Sequence, residues 1–224
     1  MKNRNPILWF LIIAFVFSWL LFCVPLLFKS NPALLPQMVQ LFFAIAMWGP
    51  GVAAIVVTLF IEKKPFKSLR LNSLGQKRFY LWAWLLPPFL TVLTLLTSLA
   101  LRTAQFDPAI TILRDALAKA PPGSNPPSLN MVLILQIIMS LTIFPLINLI
   151  FAMGEELGWR GFLLPHLLPL GQWQAILISG AIWGFWHAPT TLLFGYNFPL
   201  HPVLGTLLMI VGCTLSGDRI NSGI

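Results

Sequence analysis

The chain has 224 residues, of which 58% are apolar and only 9% charged, with a mean hydropathy of +0.85. Soluble domains carry roughly 25% charged residues, so this composition excludes a water-soluble globular domain and makes lipid the solvent for most of the surface. The net charge of +8 does not point to nucleic acid, because the basic residues sit between apolar runs, where Lys and Arg set membrane topology.

A bilayer core takes about 20 apolar residues in helical form. In chain order the expected spans are Ile7–Phe28, Met38–Ile61 and Phe79–Leu101, a fourth beginning near Met131, and a fifth over Trp173–Phe194. A sixth begins near Val203 and is interrupted by Ser216-Gly217-Asp218-Arg219. The expected fold class is therefore all-α, a polytopic transmembrane helix bundle of five or six spans. Lys2 and Arg4 precede the first run as in a signal peptide. That run is too long for one and no small-residue cleavage site follows it, so an uncleaved anchor is expected.

The loop Glu62–Arg78 holds Lys63, Lys64, Lys67, Arg70, Lys77 and Arg78. Its positive charge places it, and the N-terminus two spans earlier, on the cytoplasmic side. The other side holds Lys29, Arg102, Arg114 and Lys119, with Asp107 and Asp115 offsetting two of them. Within the polar connection Thr103–Asn130, Ala109–Ala120 is expected to form a short amphipathic helix lying on the membrane surface. Pro121-Pro122-Gly123 ends it and Asn125-Pro126-Pro127 keeps the chain extended. Cys23 and Cys213, 190 positions apart, give neither metal spacing nor a disulfide framework and are expected to be buried small hydrophobes. The chain divides into residues 1–130, with the first spans and both polar loops, and 131–224.

Between Ala120 and Gly217 the only formally charged residues are Glu155, Glu156 and Arg160. An ionisable group at membrane depth is costly, by about 2.5–3.5 kcal/mol on insertion scales, and by default marks a functional site. On a helix, Glu156 and Arg160 are i and i+4 and close enough to pair, while Glu155 is rotated about 100° away. One carboxylate is then neutralised and the other is left available as a general base. The bland alternative is an ion pair that only fixes helix packing; it needs one acid, and this site has two. Pro145, Gly161 and Pro165 are places where the long apolar run from Met131 to Leu170 can bend.

His187 lies in the body of the fifth span, 15 residues beyond Gln172, or about 22 Å along a helix. To meet the carboxylates it requires them inside the membrane. A lone imidazole there could simply bond a backbone carbonyl. Beside the Glu-Glu-Arg cluster it is a candidate to bind a metal, orient a water or stabilise an oxyanion. His166 and His201, each next to proline, read as interfacial loop residues.

Gly154-Glu155-Glu156-Leu157-Gly158-Trp159-Arg160-Gly161 resembles the Glu-Glu-x-x-x-Arg motif of the CPBP intramembrane proteases, which include type II CAAX prenyl endopeptidases and bacteriocin-processing or self-immunity proteins. Trp183-Gly184-Phe185-Trp186-His187 resembles the second motif, Phe-x-x-x-His, with Trp183 in place of the usual Phe. The resemblance covers about Leu149 to Met209 and makes 131–224 the catalytic core. It implies hydrolysis of a peptide bond in or near the membrane, with Glu155 activating the water, His187 helping to hold the water or a metal, and Glu156 with Arg160 orienting the site. A zinc ion on Glu155 and His187 is one implication and a purely glutamate-dependent mechanism the other; no His-Glu-x-x-His motif occurs. Prenylated C-terminal peptides, leader peptides and other membrane proteins are the implied substrates, membrane lipid is the other partner, and a bacterial cytoplasmic membrane is the expected location.

The family's third motif, His-x-x-x-Asn, has no counterpart. His201 is followed at the fourth position by Gly205, and no histidine comes later. The last helix is therefore expected to be missing from a C-terminally truncated chain. The alternative function is a catalytically inactive membrane scaffold or a bacteriocin self-immunity protein; a transporter is disfavoured by the lack of repeats and paired broken helices.

Overall fold

The computed structural model describes residues 5–69, 76, 78–119 and 125–215. Arg70 and Lys77 of the basic loop, the Pro121-Pro122-Gly123 stop and the interruption Ser216–Arg219 lie outside the described residues. The fold is an all-α polytopic helix bundle, and among the described residues five helical segments are long and apolar enough to cross a membrane: Pro6–Phe28, Leu35–Ile61, Tyr80–Ala100, Leu129–Leu170 and Gln172–Phe194. Helix is the expected solution, since a chain in lipid must satisfy its backbone hydrogen bonds within each segment.

The helices are α1 (Pro6–Cys23), α2 (Leu35–Ala46), α3 (Gly49–Val56), α4 (Arg78–Ala100), α5 (Thr111–Ala118), α6 (Leu129–Leu141), α7 (Ile143–Gly158), α8 (Leu164–Leu167), α9 (Gln172–Trp186), α10 (Ala188–Phe194) and α11 (Pro202–Leu215). The chain forms two compact units, Met1–Ser73 with Leu149–Ile224, and Leu74–Asn148. The smaller unit holds α4, α5 and α6. There α5 is the helix expected within Ala109–Ala120, and Asp107 Oδ2 accepts from the backbone N of Thr111 at 2.6 Å.

In the larger unit α1 buries Phe10, Ala14, Ser18 and Phe22, one residue every four, which makes a single stripe. Phe10 stacks on Phe162 with centroids 4.9 Å apart, and Phe22 meets Trp186 edge-on at 5.0 Å. Ser18 Oγ donates to the carbonyl of Ala46 at 2.8 Å. Cys23 stands one position off this stripe and is exposed, so its expected burial is corrected; Cys213 is buried as expected.

Small residues let helices approach closely where lipid supplies no hydrophobic drive between them. Gly154 and Gly158 of α7 lie against the start of α3. A Cβ at Gly154 would stand 2.7 Å from Trp48 Cα, and one at Gly158 would stand 2.6 Å from the Pro50 carbonyl carbon. Gly180 and Gly184 of α9 do the same against Thr214 and Ile210 of α11.

Among the described residues four interruptions mark the spans, one of them at Gly161, where a bend was expected. The break in Leu129–Leu170 falls at Thr142, between α6 and α7, not at Pro145. Pro145 sits in the first turn of α7, where a missing N–H costs nothing. A π-helical turn, Trp159–Leu163, follows α7, and another, Val57–Ile61, follows α3. The fifth span is divided at His187, which ends α9 and precedes α10. Pro189 explains that division, because its ring lacks an N–H and clashes with the carbonyl four residues back.

Candidate active site

The last turn of α7 and the π-turn behind it carry the charged cluster. Glu156 Oε1 pairs with Arg160 Nη1 at 2.6 Å, four residues apart as expected, and Glu156 is exposed. Glu155 points elsewhere and is buried, with 8% of its surface accessible. Its Oε2 accepts from Trp183 Nε1 of α9 at 2.7 Å. The two adjacent carboxylates therefore have different partners and different exposure, which is the separation that their rotation on the helix requires.

The π-turn is a local part of the site. The backbone N of Leu164 bonds the carbonyl of Trp159, five residues back, and such single turns recur at functional sites. Trp159 is almost fully buried and meets Trp186 edge-on at 6.0 Å. A cavity of about 20 Å³ lies beside it, lined by Trp159, Arg160, Ser179, Trp183 and Cys213 among others. That is room for one water, since a single site needs at least about 10–15 Å³ and polar partners.

His187 occupies the junction between α9 and α10. Its Nδ1 lies 2.9 Å from the carbonyl of Trp183. A carbonyl can only accept, so Nδ1 carries the proton and in the neutral ring Nε2 carries the lone pair. The carbonyl of His187 in turn receives the backbone N of Thr190 at 3.1 Å and of Thr191 at 3.2 Å, with Thr190 Oγ1 at 2.8 Å. This capping holds the imidazole at a fixed place in the interrupted helix.

Glu155, Arg160 and His187 thus gather around Trp183. Its indole N–H holds Glu155, its ring lies 4.8 Å from the Arg160 guanidinium carbon, and its carbonyl accepts from His187. The link between Glu155 and His187 runs through this residue. Trp183 was legible only as a departure from a motif; nothing in the sequence marks its N–H as a donor to a carboxylate 28 positions earlier.

A second polar cluster was not anticipated. His166 belongs to helix α8, which corrects its reading as a loop residue. Its Nδ1 lies 2.7 Å from the carbonyl of Phe162, and its Nε2 3.0 Å from Glu62 Oε1, which also pairs with Lys64 Nζ at 2.8 Å. Burial pushes the Glu62 carboxyl up, but the hydrogen bonds and charges of Lys64 and His166 outweigh it and hold the group below its ordinary value. His201 is exposed in the connection before α11, as expected.

Catalytic zinc takes three protein ligands. Among the described residues no three His, Cys, Asp or Glu side chains gather to hold a metal ion, and Glu155 is already bonded by an indole N–H. This donor set does not fit a zinc centre.

The site thus combines a buried carboxylate, an adjacent neutralised acid–base pair and a histidine at a helix break, all within apolar helices. Residues 134–216, which contain every one of these side chains, match the family described as type II CAAX prenyl endopeptidase Rce1-like. The match covers 83 of the 224 residues, and that part of the chain is similar to the CAAX-type intramembrane proteases. No curated protein and no solved structure matches the chain.

Proposed function

We propose that the chain is an intramembrane endopeptidase that hydrolyses a peptide bond of a membrane-associated or prenylated substrate, with a water activated by Glu155. The observation that carries this reading is the division of labour between the carboxylates: Arg160 pairs with Glu156, while Glu155 is buried and held through one oxygen by Trp183. In the reaction, Glu155 takes a proton from the water and the resulting hydroxide attacks the scissile carbonyl carbon. The tetrahedral intermediate then collapses with cleavage of the C–N bond, and Glu155 returns the proton to the leaving amine. His187 Nε2 accepts a hydrogen bond from the water's other proton and aligns it. Glu156 and Arg160 anchor the end of α7.

An apolar groove of about 630 Å³, lined by Leu11, Phe15, Ile182, Phe185 and Ile210 among others, supports a substrate that carries a hydrocarbon chain. It lies within the size range of ligand pockets. The basic residues Lys63, Lys64 and Lys67 support a cytoplasmic position for the loop after α3 and for the N-terminus.

The test is a cleavage assay in detergent with farnesylated and unmodified peptides. The protein is compared with Glu155→Gln, Glu156→Gln and His187→Ala. Glu155→Gln is expected to abolish cleavage, at a loss of at least about a thousandfold, because an amide cannot take the proton. Full activity in Glu155→Gln, or no cleavage of any peptide by the unaltered protein, overturns the proposal. The second outcome favours a scaffold or immunity role for the same packed cluster.

A further inference from the structure

Arg160 follows Glu155 by five residues and Glu156 by four, so by position along the chain it lies near both acids. Around Trp183 the two acids have different hydrogen-bond partners. The indole N–H is committed to Glu155 Oε2 at 2.7 Å, and the guanidinium of Arg160 rests 4.8 Å from the same ring while its Nη1 goes to Glu156. A cation over an indole face is attracted by the ring quadrupole, and an N–H aimed at a carboxylate is a charge-assisted bond that fixes the acceptor's rotamer. The backbone carbonyl of the same residue bonds His187 Nδ1 at 2.9 Å. That bond selects which imidazole nitrogen is left with the lone pair. One residue therefore touches three of the four site groups through three different parts of itself.

We propose that Trp183 is a positioning residue for the working base: its N–H orients the Glu155 carboxylate while its carbonyl fixes the His187 ring. The role rests on the reading of Glu155 as the base. Phenylalanine isolates it, because Trp183→Phe keeps an aromatic face for Arg160 and the carbonyl for His187 but has no N–H.

The experiment has two arms. The first measures steady-state cleavage. Trp183→Phe is expected to lower kcat by roughly ten- to a hundredfold with KM changed less than about twofold, since a misplaced catalytic group costs on this scale without altering substrate contacts. The second arm is independent of activity. In protein labelled with ¹⁵N-tryptophan in detergent, nine indole N–H signals are expected from the nine tryptophans, and Trp183→Phe identifies its own by its loss. Glu155→Gln is expected to move that signal upfield as a charged acceptor becomes neutral, and Glu156→Gln to leave it nearly in place.

A Trp183 signal unmoved by Glu155→Gln overturns the geometry. A moved signal together with undiminished kcat in Trp183→Phe overturns the positioning role. Undiminished activity in Glu155→Gln instead removes the underlying assignment of the base, whatever the spectra show. Where Trp183→Phe fails to fold, Trp183→Tyr supplies the assignment, and the spectral comparison of unaltered protein with Glu155→Gln still decides the geometry.

Discussion

Gly154 lies one residue before the acid pair and presses on the backbone of the α2–α3 junction, so adding a single methyl there perturbs the site without changing any charged group. In Gly154→Ala the new Cβ would stand 2.7 Å from Met47 O and 2.7 Å from Trp48 Cα, where ordinary contact begins at 3.4 Å. Both obstructing atoms belong to backbone, so no side chain can swing away. The two helices must part by about 0.7 Å. Overpacking of this kind costs about 1–3 kcal/mol, and in a chain of this size each kcal/mol lowers the melting midpoint by about 2–4 °C. The midpoint in detergent should therefore fall by about 2–12 °C. Gly212 supplies the control, because a Cβ there meets nothing within 4 Å. Gly212→Ala removes a helix-interior glycine and should leave the midpoint unchanged or raise it slightly. Differential scanning fluorimetry of both variants decides the matter. Equal midpoints for Gly154→Ala and Gly212→Ala would refute the close approach of α7 to α3 as a source of stability. The same parting shifts Glu155 relative to α9, and cleavage should fall by up to about a hundredfold in Gly154→Ala alone.

Glu62→Gln removes the carboxylate shared by Lys64 and His166 and should lower the melting midpoint at neutral pH by a few degrees. The sign with pH follows from a carboxyl held below its ordinary value in the folded protein. Its stabilisation is complete above the unfolded value of about 4.3 and is lost as the pH falls through the lower folded value. The gap between the two proteins should thus close only in that acid range, and a gap that closes between pH 8 and 6 would contradict the assignment to Glu62. For topology, Lys67→Cys in a Cys23→Ser, Cys213→Ser background should react with a membrane-impermeant maleimide in inverted vesicles and not in intact cells. Labelling from the outside would reverse the orientation.

The spans were legible because an apolar run of about 20 residues has few alternatives in lipid. The cluster was legible because three charges in a long uncharged stretch demand a physical account. Where the helices stop being straight was less so. Pro145 was the visible breaker, yet it fell in a first turn where proline is harmless, while Thr142 carries no comparable signal. The division at His187 was readable in principle from Pro189, whose clash falls four residues back. Contacts between distant positions left no trace in the sequence: the Trp183 indole on Glu155 and the His166 ring on Glu62, 104 residues away, depend on how helices pack. The exposure of Cys23 followed from its being one step off the Phe22 stripe, a rotation that span-finding by composition ignores.

Each of the two π-turns is a helical segment holding one residue more than α-helical bonding would use, and one residue is worth about 100° of rotation. The helix ahead of such a turn and the helix behind it are like two threads cut on one rod out of phase. Glu155 and Glu156 take their direction from the first thread and His166 from the second, while Glu62 follows the matching offset at Val57–Ile61. The Glu62–His166 bond joins the residues that follow the two offsets, at 3.0 Å, so it bridges the two turned threads. Deleting one residue from either π-turn would rotate the helix beyond it by about 100°, and the Glu62–His166 pair is the contact that this rotation would put most directly at risk.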